Sequence, residues 1–315
     1  MCEIHTHSSI AVYSRTDPTR TTTLRNVFAR EFRKRFNELV RVIRMSVDQQ
    51  DTFGLRVLLG TPQTLQMQPS GAGAFSFARS PDKVAAFMRW LEQQVQAGIL
   101  TVGELEQIGL SIDGAWTNRY IFDSYKRGMY RARSEMRRMG YDVPTIDETG
   151  GINVSMGTPL HLDRLGLLYT RVFSELKGIT LQMDQIISRI LAQGIADGDN
   201  PRLLARKLVA VIDGTGAGEL GITDSLGRFI PAARRAEILA RTEIIRAHHQ
   251  AMVQEYMNWG VLGVRIRAEW KTAGDRRVCS ECEALEGEVF ELEVVMNMIP
   301  VHPQCRCIAL PFKSR

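Results

Sequence analysis

No apolar stretch of this chain comes near the roughly 18 residues that a helical membrane span needs. The start, Met1-Cys2-Glu3-Ile4-His5-Thr6-His7, lacks the basic and then apolar layout of a secretory signal. These two absences point to a reducing cytoplasm and to no membrane anchor. Cysteine is scarce: there are five in 315 residues, and four of them lie between 279 and 307. In a reducing compartment such a cluster reads as metal ligands before disulfides, and Cys2 reads as an isolated thiol. Signatures of common enzymes are also missing. The sequence has no Walker loop, no His-Glu-x-x-His, no Gly-x-Ser-x-Gly and no His-x-Glu…Pro-Cys-x-x-Cys deaminase pattern.

What is present is the composition of an ordinary globular protein, with 44% hydrophobic and 24% charged residues. The net charge of +5 is mild, so it permits a polyanionic partner without requiring one. Residues 1–22 are rich in Ser, Thr and Arg and read as an arm. From Leu24 to Val47, apolar residues recur every three or four positions, which predicts an amphipathic helix. Its opposite face carries Arg25, Arg30, Arg33, Lys34, Arg41 and Arg44, either a solvated face or a contact for nucleic acid or an acidic partner.

Gly60-Thr61-Pro62 and Gly71-Ala72-Gly73 mark a loop, and Ser80-Pro81 opens a second helix that Gly98 closes. Thr101 with Glu104 resembles a capping box for another. A helix containing Trp116, Tyr120 and Tyr125 ends near Gly140, and residues 141–160 form a connection. The strongest periodicity runs through Leu165, Leu168, Val172, Leu176, Ile179, Met183, Ile186 and Ile190. Spacings of three and four with one extra step of four predict a long helix with a narrow seam and a stutter. Bundle core and a self-associating coiled coil are its two readings. Asn200-Pro201 starts a short helix, 213–227 is a Gly-rich loop, and Pro231 starts a helix reaching Trp259. His249 falls on that helix's apolar stripe, where a histidine is expected to be a hydrogen-bonded core residue. Strand alternation then appears at 266–271 and at Ile308, Leu310 and Phe312.

Cys279-Ser280-Glu281-Cys282 can turn two thiolates toward one ion, and His302-Pro303-Gln304-Cys305 can supply a second pair. Four such ligands suit a closed, structural, tetrahedral Zn2+ site with no open position for water. Cys307 is an alternate to Cys305. The competing enzymatic reading is a metal-dependent nuclease using Glu243, His248, His249 and His302; a free-standing zinc ribbon that binds nucleic acid is a third. Arg241 and Glu243 are expected to form ion pairs or hydrogen bonds with the C-terminal unit.

Residues 238–312 carry an ordered set of motifs: Ala240-Arg241-Thr242-Glu243, Trp270 through Asp275 to Cys282, Leu285-Glu286-Gly287, and His302 to Cys307. This string resembles the Mu F-like head-morphogenesis proteins of tailed phages. Asp17-Pro18-Thr19-Arg20-Thr21, the Phe87 to Leu91 helix ending at Gly98-Ile99-Leu100, and Trp116 to Tyr120 add weaker likeness upstream. His248-His249 departs from it, since many members carry an Asn-containing stretch there. The resemblance implies a minor head protein that is not an enzyme. It would sit at the portal vertex of the virion head, assembled in the host cytoplasm. Its implied partners are the portal protein, capsid and scaffold proteins, and genomic DNA. The fold expected from the residues is mainly α, with elongated helical domains and a small C-terminal α+β zinc-binding module. The expected divisions are 1–22, 23–160, 161–230 and 231–315.

Overall fold

A computed structural model describes residues 17–55, 82–104, 113–214, 229–261, 263–264 and 266–313. Helix α1 (Thr22–Arg44) follows the predicted spacing, with Leu24, Phe28, Phe32, Phe36, Leu39 and Ile43 buried. It does not continue as α-helix to Val47. The backbone widens into a π turn, Met45–Gln49, because the Thr52 hydroxyl and amide both bond the Ser46 carbonyl, at 2.6 and 3.2 Å. The loop read at 60–74, the Ser80-Pro81 start and Cys2 lie outside the described residues.

Helix α2 (Asp82–Gly98) ends at its predicted glycine. The capping box read at Thr101 and Glu104 is not one. Val102–Glu104 is strand β1, paired antiparallel with β2 (Asp113–Ala115). Thr101 instead turns its hydroxyl back to the Ala97 carbonyl, closing the helix behind it rather than opening one ahead. Then come α3 (Asn118–Arg138), the short α4 (Ile152–Met156) inside the expected connection, and α5 (Pro159–Ala196).

The seam of α5 is buried as predicted at Leu165, Leu168, Val172, Leu176, Met183 and Ile190. At the stutter the stripe moves by one residue: Thr180 and Ile187 are buried where Ile179 and Ile186 were expected. A straight helix of 3.6 residues per turn drifts against a 3.5-residue seam, and this shift is that drift. Helix α6 (Pro201–Asp213) begins on Asn200, whose side chain accepts from the Leu203 amide, and ends at Gly214 in the left-handed conformation. Helix α7 (Ala232–Val261) leads to strand β3 (Arg267–Lys271), α8 (Ser280–Ala284), β4 (Val289–Phe290), α9 (Leu292–Val295) and β5 (Ile308–Phe312). The fold is mainly helical with a small C-terminal strand module. Among the described residues, no helix is long and apolar enough to cross a membrane.

Contacts divide the chain into two compact units, neither of them a continuous segment. One comprises Met1–Arg25, Phe122–Leu165 and Ile244–Arg315; the other comprises Asn26–Ile121 and Gly166–Glu243. The division falls within α1, α3, α5 and α7.

In the Asn26–Ile121/Gly166–Glu243 unit, aromatic rings build much of the core. Phe28 stacks on Tyr120 at 4.4 Å, and Phe32 meets Trp116 edge-on at 4.8 Å. Arg35 lies over the Trp116 ring at 4.1 Å and donates to the Gly98 carbonyl.

In the unit that holds the C-terminus, sheet order is β4-β3-β5, both pairings antiparallel, with Glu269 opposite both Val289 and Leu310. Trp270, Tyr256, Met252, Val295, Ile299 and Ala309 share one buried core. A polar network runs through the same unit. Tyr125 Oη and His161 Nδ1 are 2.7 Å apart, and His161 Nε2 faces Glu255 Oε1 at 3.1 Å. Arg133 Nε and Trp259 Nε1 donate to Glu255 Oε2, both at 3.0 Å. With His161 and Glu255 almost wholly buried, each partner satisfies a group that would otherwise be costly to hide. Gly128 permits a close helix crossing: a Cβ there would sit 2.3 Å from the His248 carbonyl oxygen and 2.7 Å from the Ala251 Cβ.

Candidate metal centre

Two arms of the C-terminal module bring the cysteines together. The first is the turn Asp275–Val278 followed by α8. Cys279 is the N-cap of α8, and its Sγ accepts the Cys282 amide at 3.4 Å. That bond aims both sulfurs to one side of the turn. On the second arm, Cys305 N donates to the His302 carbonyl at 3.1 Å, through a turn with Gln304 at φ 62°. His302 Nδ1 faces the Pro303 carbonyl at 2.9 Å, so this nitrogen carries the proton. Nε2 is then left as a lone-pair donor, and it faces Cys279 Sγ at 3.2 Å and Cys282 Sγ at 3.3 Å. Cys282 Sγ lies 3.9 Å from Cys305 Sγ.

Two triads therefore share Cys282: Cys279, Cys282 and His302 on one side, Cys282, Cys305 and Cys307 on the other. Either could hold a metal. In a tetrahedral zinc site, bonds of about 2.3 Å to sulfur and about 2.0 Å to nitrogen put ligand atoms about 3.5–3.8 Å apart. The separations of His302 from Cys279 and Cys282, and of Cys282 from Cys305, lie close to that, while Cys305 is not within 4.8 Å of both Cys279 and His302; the donor set of thiols with one imidazole is the one zinc prefers. Cys305 and Cys307 are both within reach of Cys282, so the choice between them stays open on geometry.

The charges of the cluster are arranged unevenly. The Cys307 thiol donates to Cys305 and draws its pKa down to about 5, against the opposing effect of burial. Cys307 moves the other way, raised by that same hydrogen bond and by burial. Burial and the neighbouring Cys305 push Cys282 up to about 12, while the Cys282 amide lowers Cys279. For His302, burial works against the imidazolium, but the Pro303 carbonyl and the nearby thiolates outweigh it and raise its pKa.

Sequence reasoning missed what locks the arms together. Arg306, between the two buried cysteines, turns its guanidinium onto Asp275 in a fork, at 2.7 and 2.6 Å. Asp275 also accepts the Arg277 amide at 3.0 Å, and together these hold its carboxyl well below the usual range, Arg306 contributing most. The alternation Cys-Arg-Cys was the available signal: with thiols on one side, the arginine must leave on the other.

The remaining predicted residues fall elsewhere. Arg25 is not on an exposed face: it is 7% exposed and bound to Asp17 at 2.6 Å, because residues 17–21 fold back as a buried knot of hydroxyls and carboxylate. Arg30 and Lys34 are exposed. Arg33 pairs with Glu237, Arg41 with Glu38 and Arg44 with Asp213. Arg241 reaches Glu237, and Glu243 accepts from Arg171. Both of these partners lie on helices. Trp270 is fully buried on β3.

His248 and His249 are 2% and 1% exposed. Burial pushes them down to about 3 and about 4, so both stay neutral, and His249 Nε2 donates to the Val295 carbonyl at 2.8 Å. With Glu243 also buried, none of these three presents an accessible acid or base.

No curated protein and no solved structure matches the chain. A family model does, that described as Phage Mu protein F like protein, over residues 185–310. The match begins within α5, upstream of the motif string, and takes in all five candidate ligands. Residues 185–310 of this chain, about two-fifths of its length, thus match the Phage Mu F-like family model and carry the motif string that resembles it.

Proposed function

We propose that the protein is a phage minor head protein, a portal-associated part of the procapsid and virion that acts in head morphogenesis. The observation that carries this reading is the Mu F-like match over the segment that holds the Cys/His cluster. In this reading the cluster is structural. Zn2+ would be held by Cys279, Cys282, His302 and Cys305, with Cys307 as the alternate, and would cross-link the two arms of a module whose strands are short. A site filled by four protein ligands offers no position to a substrate, so its chemistry is that of a fastener. Capsid and scaffold proteins and genomic DNA are the further partners proposed. The long helices supply surface for protein contacts.

Co-expression with the cognate portal protein tests the reading. A complex that survives gel filtration is expected. Failure of both portal and procapsids to retain the chain would overturn it. Metal analysis of the purified protein tests the zinc separately: one equivalent is expected, and undiminished zinc in Cys279→Ser/Cys282→Ser would remove the assignment.

A further inference from the structure

One surface cluster is charged in a way its ion pairs do not cancel. Glu237 on α7 is buried, its side chain 6% exposed, and three arginines converge on it. Arg33 of α1 grips it with a two-pronged fork, Nε to Oε1 and Nη2 to Oε2, both at 2.8 Å. Arg234 reaches Oε2 at 3.3 Å and Arg241 at 3.8 Å, one turn to either side on α7. Arg33 and Arg234 alone set two guanidiniums against this one carboxylate. Arg33 and Arg234 are also half-exposed, at 53% and 47% of their side chains. Arg33 uses two of its N–H donors on Glu237, and a guanidinium has about five. Arg30, exposed and one turn earlier on the same face of α1, extends the positive surface.

We infer that Arg30, Arg33 and Arg234, arranged around Glu237, form a docking site for the phosphate backbone of double-stranded nucleic acid, read without regard to sequence.

Three features favour this partner over an acidic protein. The guanidinium fork matches a phosphate's paired oxygens, and a buried carboxylate holds the fork in place before binding. A protein interface needs an apolar centre. Among the described residues, the exposed large apolar side chains include none at 30–41 of α1 or 234–241 of α7. Finally, the cluster offers cations and no groups suited to reading base edges, which is the pattern of backbone contact.

This inference extends the proposal above from a partner to a surface, and the two fail separately: portal capture does not require these arginines. The test uses the full chain and two fluorescent duplexes of unrelated sequence, with binding followed by anisotropy across a salt series. Both duplexes should bind alike. Arg30→Gln/Arg234→Gln, which leaves the Arg33–Glu237 fork intact, should weaken binding roughly tenfold at low salt. It should also flatten the slope of log K against log salt by about 1.8, at about 0.9 per phosphate contact. The single Arg30→Gln should give about half that change in slope, and melting temperatures should match wild type. Wild type that does not bind duplex at low salt would overturn the inference, as would a double variant that binds like wild type. Poly-L-glutamate that displaces the duplex as well as unlabelled duplex at equal charge would assign the surface to acidic protein instead.

Discussion

Replacing Glu255 tests the buried polar network most directly. Its side chain is 2% exposed and accepts from Arg133 and Trp259, with His161 as a third neighbour. Truncation to Ala strips a guanidinium, an indole N–H and an imidazole of one partner each. Breaking a buried ion pair from one side costs about 3–5 kcal/mol. Arg133 keeps the Thr145 carbonyl at 3.1 Å and the Thr149 hydroxyl at 2.7 Å, so its charge is not stranded. Glu255→Ala should therefore fall near 3 kcal/mol, the lower end of that range. Glu255→Gln retains an acceptor and loses the charge, for about 1–2 kcal/mol.

The difference carries a pH signature. Burial opposes ionisation of Glu255, but the His161 hydrogen bond and Arg133 outweigh it and hold its pKa below normal. A carboxyl depressed in the folded state stabilises fully above its unfolded value, and that contribution is lost as pH falls through the folded value. The gap between wild type and Glu255→Gln should thus be constant near neutrality and narrow below about pH 4. Urea denaturation followed by circular dichroism, with hydrogen exchange over peptides of 250–260, measures both quantities. A Glu255→Ala cost under about 1 kcal/mol, or a gap with Gln that is flat down to about pH 3, would refute the reasoning.

Other expectations can be checked with similar effort. Gly128→Ala should destabilise by about 1–3 kcal/mol or more, since backbone meets backbone at that crossing; an unchanged denaturation midpoint would disprove the close approach. If Cys305 is the fourth ligand, Cys307→Ser should keep stoichiometric zinc while Cys282→Ser, common to both triads, loses it. Zinc binding should release protons, detectable as buffer-dependent calorimetric heats, and should weaken as pH falls because thiols and His302 must be deprotonated to bind. Arg306→Gln should raise the rate of zinc loss to a chromogenic chelator roughly tenfold by freeing the two arms.

Periodicity made the helices legible. The 3.6-residue spacing in α1 and α5 reports burial directly, and Gly98 and Asn200-Pro201 mark real ends. Errors came where local signals have two outcomes. Thr101 can cap a helix ahead or bond back to the one behind, and sequence alone does not choose. The π turn at Met45–Gln49 depends on Thr52 reaching Ser46, a contact the pattern of apolar residues cannot encode. At the metal centre, ligand types and spacing were readable because the chemistry of zinc restricts both. The fork of Arg306 on Asp275 spans thirty-one positions, and the path from His161 to Glu255 spans ninety-four. Pairings of that range are set by how helices and strands pack, so one sequence does not reveal them.

The order Cys305-Arg306-Cys307 sets a rule for what changes of chain length this arm can tolerate. Its side chains alternate, so deleting or inserting one residue just before Cys305 would carry the guanidinium toward the sulfurs and the thiols toward Asp275. Both fastenings would fail in one step, whereas a two-residue change would restore the pattern of sides. Length variation between His302 and β5 should therefore occur in pairs or not at all. A library of insertions scored for zinc retention would show that parity as a sawtooth.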